Sequence, residues 1–305
     1  MLNTVKEFLA RRVWYAWLLR VAICWFGIIA ISSFAGSALF WLFPTNDPAA
    51  FRELLGWFRV GLVASALISF VLIYYFIRLC FRFLDQRDPA ELRMTVDRRL
   101  PLLLGGGMGA AALMLAIVFG LQYLAGWIAI KSFSSPYDGY FLASAFSSLI
   151  QFASVGVGEE MRYRAYGYAS GEGSMPRAIL ILVCAFLFAV FHVQYEQFGI
   201  VAVLNLMLIA CFYMVSLHHF NSIWFGVGFH FIWDFAQVSI FGLAFPGTAN
   251  ESLIVIEQTG PKLWTGGSAL IEAGLIYTVV FAAATVCVLY LLNRRRIGTW
   301  TPINR

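Results

Sequence analysis

Eight stretches of this chain are apolar over nearly the length of a membrane span: roughly residues 18–43, 56–77, 101–130, 140–168, 177–195, 199–217, 221–242 and 267–293. A helix rising about 1.5 Å per residue needs about 20 apolar residues to cross a hydrocarbon core near 30 Å thick. Backbone amides inside that core must be satisfied within the segment, and helices achieve this. The composition agrees, at 61% hydrophobic and 12% charged residues, where a soluble domain carries roughly 25% charged residues. The expected fold class is all-α: a polytopic membrane helix bundle of about eight transmembrane helices. Such a chain is an integral, multi-pass membrane protein, of the plasma (inner) membrane if the source is bacterial.

Orientation follows from the basic residues. With a cytoplasmic N-terminus, all but Arg52, Arg59, Lys131 and Lys262 fall on one side, among them Lys6, Arg11, Arg12, Arg78–Arg99 and Arg294–Arg296. That asymmetry places both termini in the cytoplasm. The net charge of +5 is then a topology signal, not a nucleic-acid signature. Anionic lipid headgroups are a further partner for the Arg78–Arg99 loop and Arg294–Arg296. The run from Val21 to Phe43 exceeds a cleaved signal core, so it is expected to be retained. The five cysteines form no CxxC and read as small buried hydrophobes. Pro44-Thr45-Asn46-Asp47-Pro48 and Gly171-Glu172-Gly173-Ser174-Met175-Pro176 read as turns. Gly105, Gly106, Gly107 and Gly109 offer surfaces for close helix packing. Three parts are expected: residues 1–135 with about three helices and a basic cytoplasmic loop, 136–245 as the core that carries the polar residues, and 246–305 as an extracytoplasmic loop, last helix and basic tail.

The polar residues inside the apolar segments carry the chemistry, because an ionisable group at membrane depth is costly and usually functional. In Gly158-Glu159-Glu160-Met161-Arg162-Tyr163-Arg164, read as α-helix, Glu160 and Arg164 are i and i+4, a favourable ion-pair order. Glu159 then points about 100° away, free of Arg164 and able to face the bundle. Two carboxylates in unlike environments often divide acid/base and structural work. Phe188 and His192 share a face one segment later, as do His230 and Asp234 two segments after that. Asp234 can orient the His230 ring, or both can bind one ligand. His218 and His219 fall at a helix end and read as interfacial. A base, two imidazoles and a second carboxylate are a set that can activate water and stabilise an oxyanion. No HExxH is present.

Glu-Glu-x-x-x-Arg (Glu159, Glu160, Arg164), Phe-x-x-x-His (Phe188, His192) and His-x-x-x-Asp (His230, Asp234), in this order over about residues 140–240, resemble the CPBP family of CAAX proteases and bacteriocin-processing enzymes, also called Abi. The resemblance implies an intramembrane endopeptidase whose cavity opens to the cytosol. Glu159 and His192 would activate the attacking water. His230 and Asp234 would hold the scissile carbonyl oxygen, with Glu160, Arg164 and Phe188 in support. Asp234 stands where the family also has Asn, and an ionised aspartate cannot donate to an oxyanion. It must then be protonated, polarise His230, or bind a metal; the second is favoured. Zinc is possible on Glu159, His192, His230 and Asp234, but the resemblance favours a cofactor-free glutamate mechanism. The partner would be a peptide or membrane-protein substrate, lipidated or not; the sequence sets no oligomeric state.

Two other functions fit intramembrane acids and histidines: a proton-coupled transporter or channel component, and a non-catalytic bacteriocin-immunity or scaffold protein. A transporter usually shows inverted repeats and broken helices, and none is legible here. The protease reading needs Glu159 near His192. That in turn requires the fourth segment to be one long helix reaching about Tyr168.

Overall fold

The computed structural model describes residues 2–42, 48–135, 137, 139–192, 199–243, 252–267 and 271–296. The Pro44–Pro48 turn and the side chains of Arg294–Arg296 lie outside what is described. A short helix α1 (Leu2–Ala10) leads into α2 (Trp14–Leu42), α3 (Pro48–Phe83) and α4 (Leu100–Leu124). Helix α5 (Gly139–Glu159) continues through a π-helical stretch, Glu160–Tyr168, into α6 (Ala169–Gly171). Then come α7 (Arg177–Val190), α8 (Ile200–Phe220), α9 (Trp224–Ser239), α10 (Lys262–Thr265) and α11 (Leu275–Arg296). Each of the eight apolar stretches contains a helix among its described residues. Five of the helices are long and apolar enough to cross a membrane: Trp14–Ala35, Val63–Phe83, Leu100–Leu124, Phe141–Gly171 and Ile200–Phe220. The apolar helices Arg177–Val190 and Leu275–Cys287 are shorter.

The described residues are helical as expected, with one two-stranded antiparallel pairing added. The stretch 101–130 does not stay helical to its end. Gly126 takes a positive φ of 70°, open to glycine without strain, and stops α4. The chain then forms β1 (Ile128–Phe133), which pairs antiparallel with β2 (Ile254–Gln258), from Ile128 opposite Gln258 to Phe133 opposite Ile254. An ion pair between Lys131 and Glu257 joins the two strands. The β-branched isoleucines suit a strand, though in β1 only Ile128 is buried.

Helix α9 sits between α4 and α5, and three glycines set its distance from them. A Cβ on Gly107 would strike the Phe225 carbonyl, and one on Gly228 would strike that of Leu104. A Cβ on Gly156 of α5 would come within 3.0 Å of the Phe231 nitrogen. Of the four α4 glycines only Gly107 makes this close approach. Gly105 and Gly109 have nothing within 4 Å, and Gly106 meets only the Phe225 ring at 3.8 Å. Gly228→Val must push two backbones apart. It is expected to destabilise the protein by about 1–3 kcal/mol, visible as a lower unfolding temperature in detergent, whereas Gly109→Val leaves that temperature within error.

Polar side chains anchor the basic end of the bundle. Arg20 of α2, 2% exposed, pairs with Asp85 at 2.7 Å and donates to the Ser170 carbonyl at 3.0 Å. Ser170 Oγ donates in turn to Asp85 at 2.5 Å. Asp85 lies just past α3. Burial pushes its carboxyl above the usual range, against the pull of Ser170 and Arg20. Arg87 and Arg93 reach Glu172 at 3.5 and 2.9 Å, which fixes the turn at residues 171–176. Three cysteines, Cys24, Cys80 and Cys184, are buried as expected, but Cys211 is only partly buried and Cys287 is exposed. All five are free thiols.

Candidate active site

The long fourth segment is present: α5, the π-helical stretch and α6 run without a break from Gly139 to Gly171. Its middle is not an α-helix, however. From Glu160 to Tyr168 the turns widen to the π form, which in other helices commonly marks a functional site. The widened turn leaves carbonyls without their usual partners, and α2 supplies donors. Trp17 Nε1 donates to the Gly167 carbonyl at 2.9 Å and Trp25 Nε1 to that of Arg162 at 3.2 Å.

The depth of the site follows from helix length. Glu159 stands twelve residues before Gly171, about 18 Å at 1.5 Å per residue. His192 stands fifteen residues after Arg177, about 22 Å by the same rise. Because the two chain directions are opposite and joined by a short turn, the residues meet at a similar height. Helix α7 holds 14 residues, fewer than a core near 30 Å needs for a crossing.

Four side-chain atoms converge there. Glu159 Oε2 lies 3.5 Å from His192 Nε2 and 3.8 Å from His230 Nε2. Asp234 Oδ2 lies 3.6 Å from the same His230 nitrogen. Each gap is too wide for a strong direct hydrogen bond, and each is of a size that one bridging oxygen atom can span. Glu159 Oε2 has no hydrogen-bond partner of its own. The Glu159 and His192 side chains are about one-fifth exposed, while Glu159 Oε2 itself is buried.

The supporting shell fixes which nitrogen does what. His192 Nδ1 is 2.7 Å from the Phe188 carbonyl. A carbonyl only accepts, so Nδ1 carries the hydrogen, and in the neutral ring the Nε2 lone pair faces Glu159. A water between them can donate one hydrogen to each. His230 Nδ1 lies 3.2 Å from Glu160 Oε1, while Arg164 Nη1 lies 3.1 Å from the same oxygen. Glu160 and Arg164 are each 1% exposed.

Glu160 pairs with Arg164 as the helical spacing requires, and it also holds His230: the π turn brings both adjacent carboxylates to one ring, Glu160 at Nδ1 and Glu159 on the Nε2 side. Asp234 lies beside His230 as well, 3.6 Å from the nitrogen that Glu159 faces, so the ring has three carboxylate neighbours.

Residues outside the motifs complete the enclosure. The Arg164 guanidinium carbon lies 4.3 Å from the Phe188 ring centre and 4.5 Å from that of Tyr213 on α8. These are close enough for cation–π attraction. Tyr213 also stacks on His230 at 5.5 Å. Nothing in a tyrosine within an apolar helix announces this. Gly226 makes room for the ion pair, since a Cβ there would come within 2.9 Å of Glu160 Oε2. The repeated glycines around Val227 were the available signal. His218 and His219 lie in the last turn of α8, outside this cluster. Among the described residues, no group of three or more His, Cys, Asp and Glu side chains is arranged to hold a metal ion.

A helical membrane protein with two imidazoles and two carboxylates enclosed at one point belongs to the class of chains that hold polar chemistry inside apolar helices. Residues 141–236, about a third of the chain, match the family model described as type II CAAX prenyl endopeptidase Rce1-like. The matched segment runs from α5 to α9 and contains Glu159, Glu160, Arg164, Phe188, His192, His230 and Asp234. No curated protein and no solved structure matches the chain.

Proposed function

We propose that this protein is an intramembrane endopeptidase of the CAAX type. The observation that carries the reading is the placement of Glu159 and His192 about one water apart, at one height, inside a family-matched segment. Glu159 acts as the general base and His192 holds the same water, so the hydroxide forms facing the substrate carbonyl. His230 and Asp234 stand on the far side of Glu159 and hold the carbonyl oxygen as it gains charge. With Nδ1 committed to Glu160, a donor on that side is an N–H on His230 Nε2 or an O–H on Asp234. Glu160, Arg164, Phe188 and Tyr213 keep the rings in place.

Water activation is assigned to protein side chains, without zinc. The lone pairs of Glu159 and His192 already face one another across a gap that a water bridges by donating to both. Eight crossings with both termini in the cytoplasm and a cytosolic opening fit the eight helical stretches and the basic-residue asymmetry. The substrate is a peptide or membrane-protein segment, with or without a lipid. The test is cleavage of a membrane-anchored peptide ending in C-a-a-X by purified protein in nanodiscs. Prenylated and unprenylated forms are compared, before and after a zinc chelator. Cleavage unchanged by the chelator is expected; loss on chelation restored by zinc overturns the metal-free assignment, and an intact peptide overturns the peptidase reading.

A further inference from the structure

The apolar spans Trp14–Ala35 and Phe141–Gly171 hold three arginines, Arg20, Arg162 and Arg164, and two of them are matched. Arg20 pairs with Asp85 at 2.7 Å and Arg164 with Glu160 at 3.1 Å. Arg162 differs. Among the described residues no carboxylate pairs with it, and its Nε is buried without a hydrogen-bond partner. The side chain is half-buried, neither sealed in the core nor fully out in lipid. Arg162 is an x of Glu-Glu-x-x-x-Arg, so the motif does not account for it. An ionisable group at membrane depth is costly, and it is retained for a partner.

Arg162 stands at the edge of the candidate active site. Trp25 Nε1 donates to its carbonyl at 3.2 Å. Its guanidinium carbon lies 6.0 Å from the Tyr163 ring centre. That ring meets Phe188 at 5.1 Å, and Phe188 meets His192 at 4.5 Å. Trp25 flanks the same ring, 4.9 Å from Tyr163 and 5.1 Å from Phe191, the residue before His192. The unmatched charge is thus two aromatic rings away from His192, and it stands three residues nearer the turn at 171–176 than Glu159 does. Cleavage beside the cysteine of C-a-a-X releases three residues, and an extended tripeptide spans about 10 Å, the scale of that path. Those residues end in a free α-carboxylate, a charge that every such substrate carries whatever its last side chain. A guanidinium matches a carboxylate with two parallel hydrogen bonds, and the apolar rings around it strengthen the attraction by keeping water away. The geometry points to Arg162 as the residue that binds the substrate's C-terminal carboxylate, and so sets the distance from the chain end to the cut. This rests on the peptidase reading above.

The test changes both sides of the contact. The same membrane-anchored C-a-a-X peptide is made with a free C-terminal carboxylate and with a C-terminal amide. kcat/KM is measured in nanodiscs for wild type, Arg162→Gln and Arg162→Met, with melting temperatures alongside. The wild type should cut the acid about tenfold or more faster than the amide, the worth of a hydrogen bond between charged groups. Most of that preference should lie in KM, as for binding that substrate and transition state share. Each variant should cut the two peptides at rates within about twofold of one another, since the interaction that separates them is gone. Either variant suffices, so a folding failure of one leaves the test intact. A wild type that cuts acid and amide alike overturns the inference. So does an equal loss on both peptides in the variants, the result expected if Arg162 only packs or pairs with a lipid phosphate. Both outcomes leave the peptidase reading standing, whereas a wild type that cuts neither peptide overturns that reading itself.

Discussion

Glu159→Gln is expected to lower the rate of peptide cleavage by about 10²–10⁴-fold, the usual contribution of a positioned general base. The substitution removes only the ability to take a proton. Gln has the shape of Glu, and Glu159 Oε2 makes no hydrogen bond that an amide would break. The variant should therefore insert, fold and melt like the wild type. His192→Ala should cost a similar factor, because its Nε2 faces the same point at 3.5 Å. If the two act on one water, the double variant loses little more than either single one, since residues that act as a unit are far from additive. Cleavage rates, with melting temperatures measured alongside, decide the matter. A Glu159→Gln protein with wild-type rates would remove the base from Glu159.

The second large effect concerns stability. Arg164→Ala is expected to destabilise the protein by about 3–5 kcal/mol, the range for breaking a buried ion pair from one side. It leaves the Glu160 carboxylate, 1% exposed, without its guanidinium. It also empties the space between Phe188 and Tyr213. Replacing Glu160 by Gln in the Arg164→Ala background removes the stranded charge and should recover part of the loss. Denaturant unfolding in detergent reads both steps. Arg164→Lys is a poor substitute, because an ammonium cannot lie flat between two rings.

Much of the site was legible because helical spacing fixes which side chains share a face. Phe188 with His192 and His230 with Asp234 are i, i+4 pairs, and both lie together as the spacing requires. Glu160 with Arg164 was legible for the same reason. What spacing could not show is the π-helical widening, since the residues from Glu160 to Tyr168 carry no proline and a single glycine, Gly167, near the end, and read as ordinary helix. That single change brings Glu160 to His230. Tyr213 comes from α8, and contacts between separate segments have no period to read. The strand pairing was hidden for a similar reason: β1 and β2 are more than a hundred residues apart, and Ile128–Phe133 follows directly on an apolar helix.

Close packing tells a similar story. Four glycines in α4 suggested a helix contact, yet only Gly107 takes the close approach; Gly105 and Gly106 before it and Gly109 after it stand one or two residues away and so turn aside. The partner glycine, Gly228, lies in the same short run that holds His230. The run from Gly226 to Asp234 thus serves two ends. Its glycines admit α4 and the Glu160 carboxylate, and its polar residues face the point where Glu159 and His192 meet.

The most direct test of the central claim is mass spectrometry of a membrane-anchored peptide incubated with purified, chelator-treated protein. The account predicts two product peptides from the wild type and only the intact peptide from Glu159→Gln over the same time. An intact peptide with the wild type, or products formed at the same rate by Glu159→Gln, would contradict it.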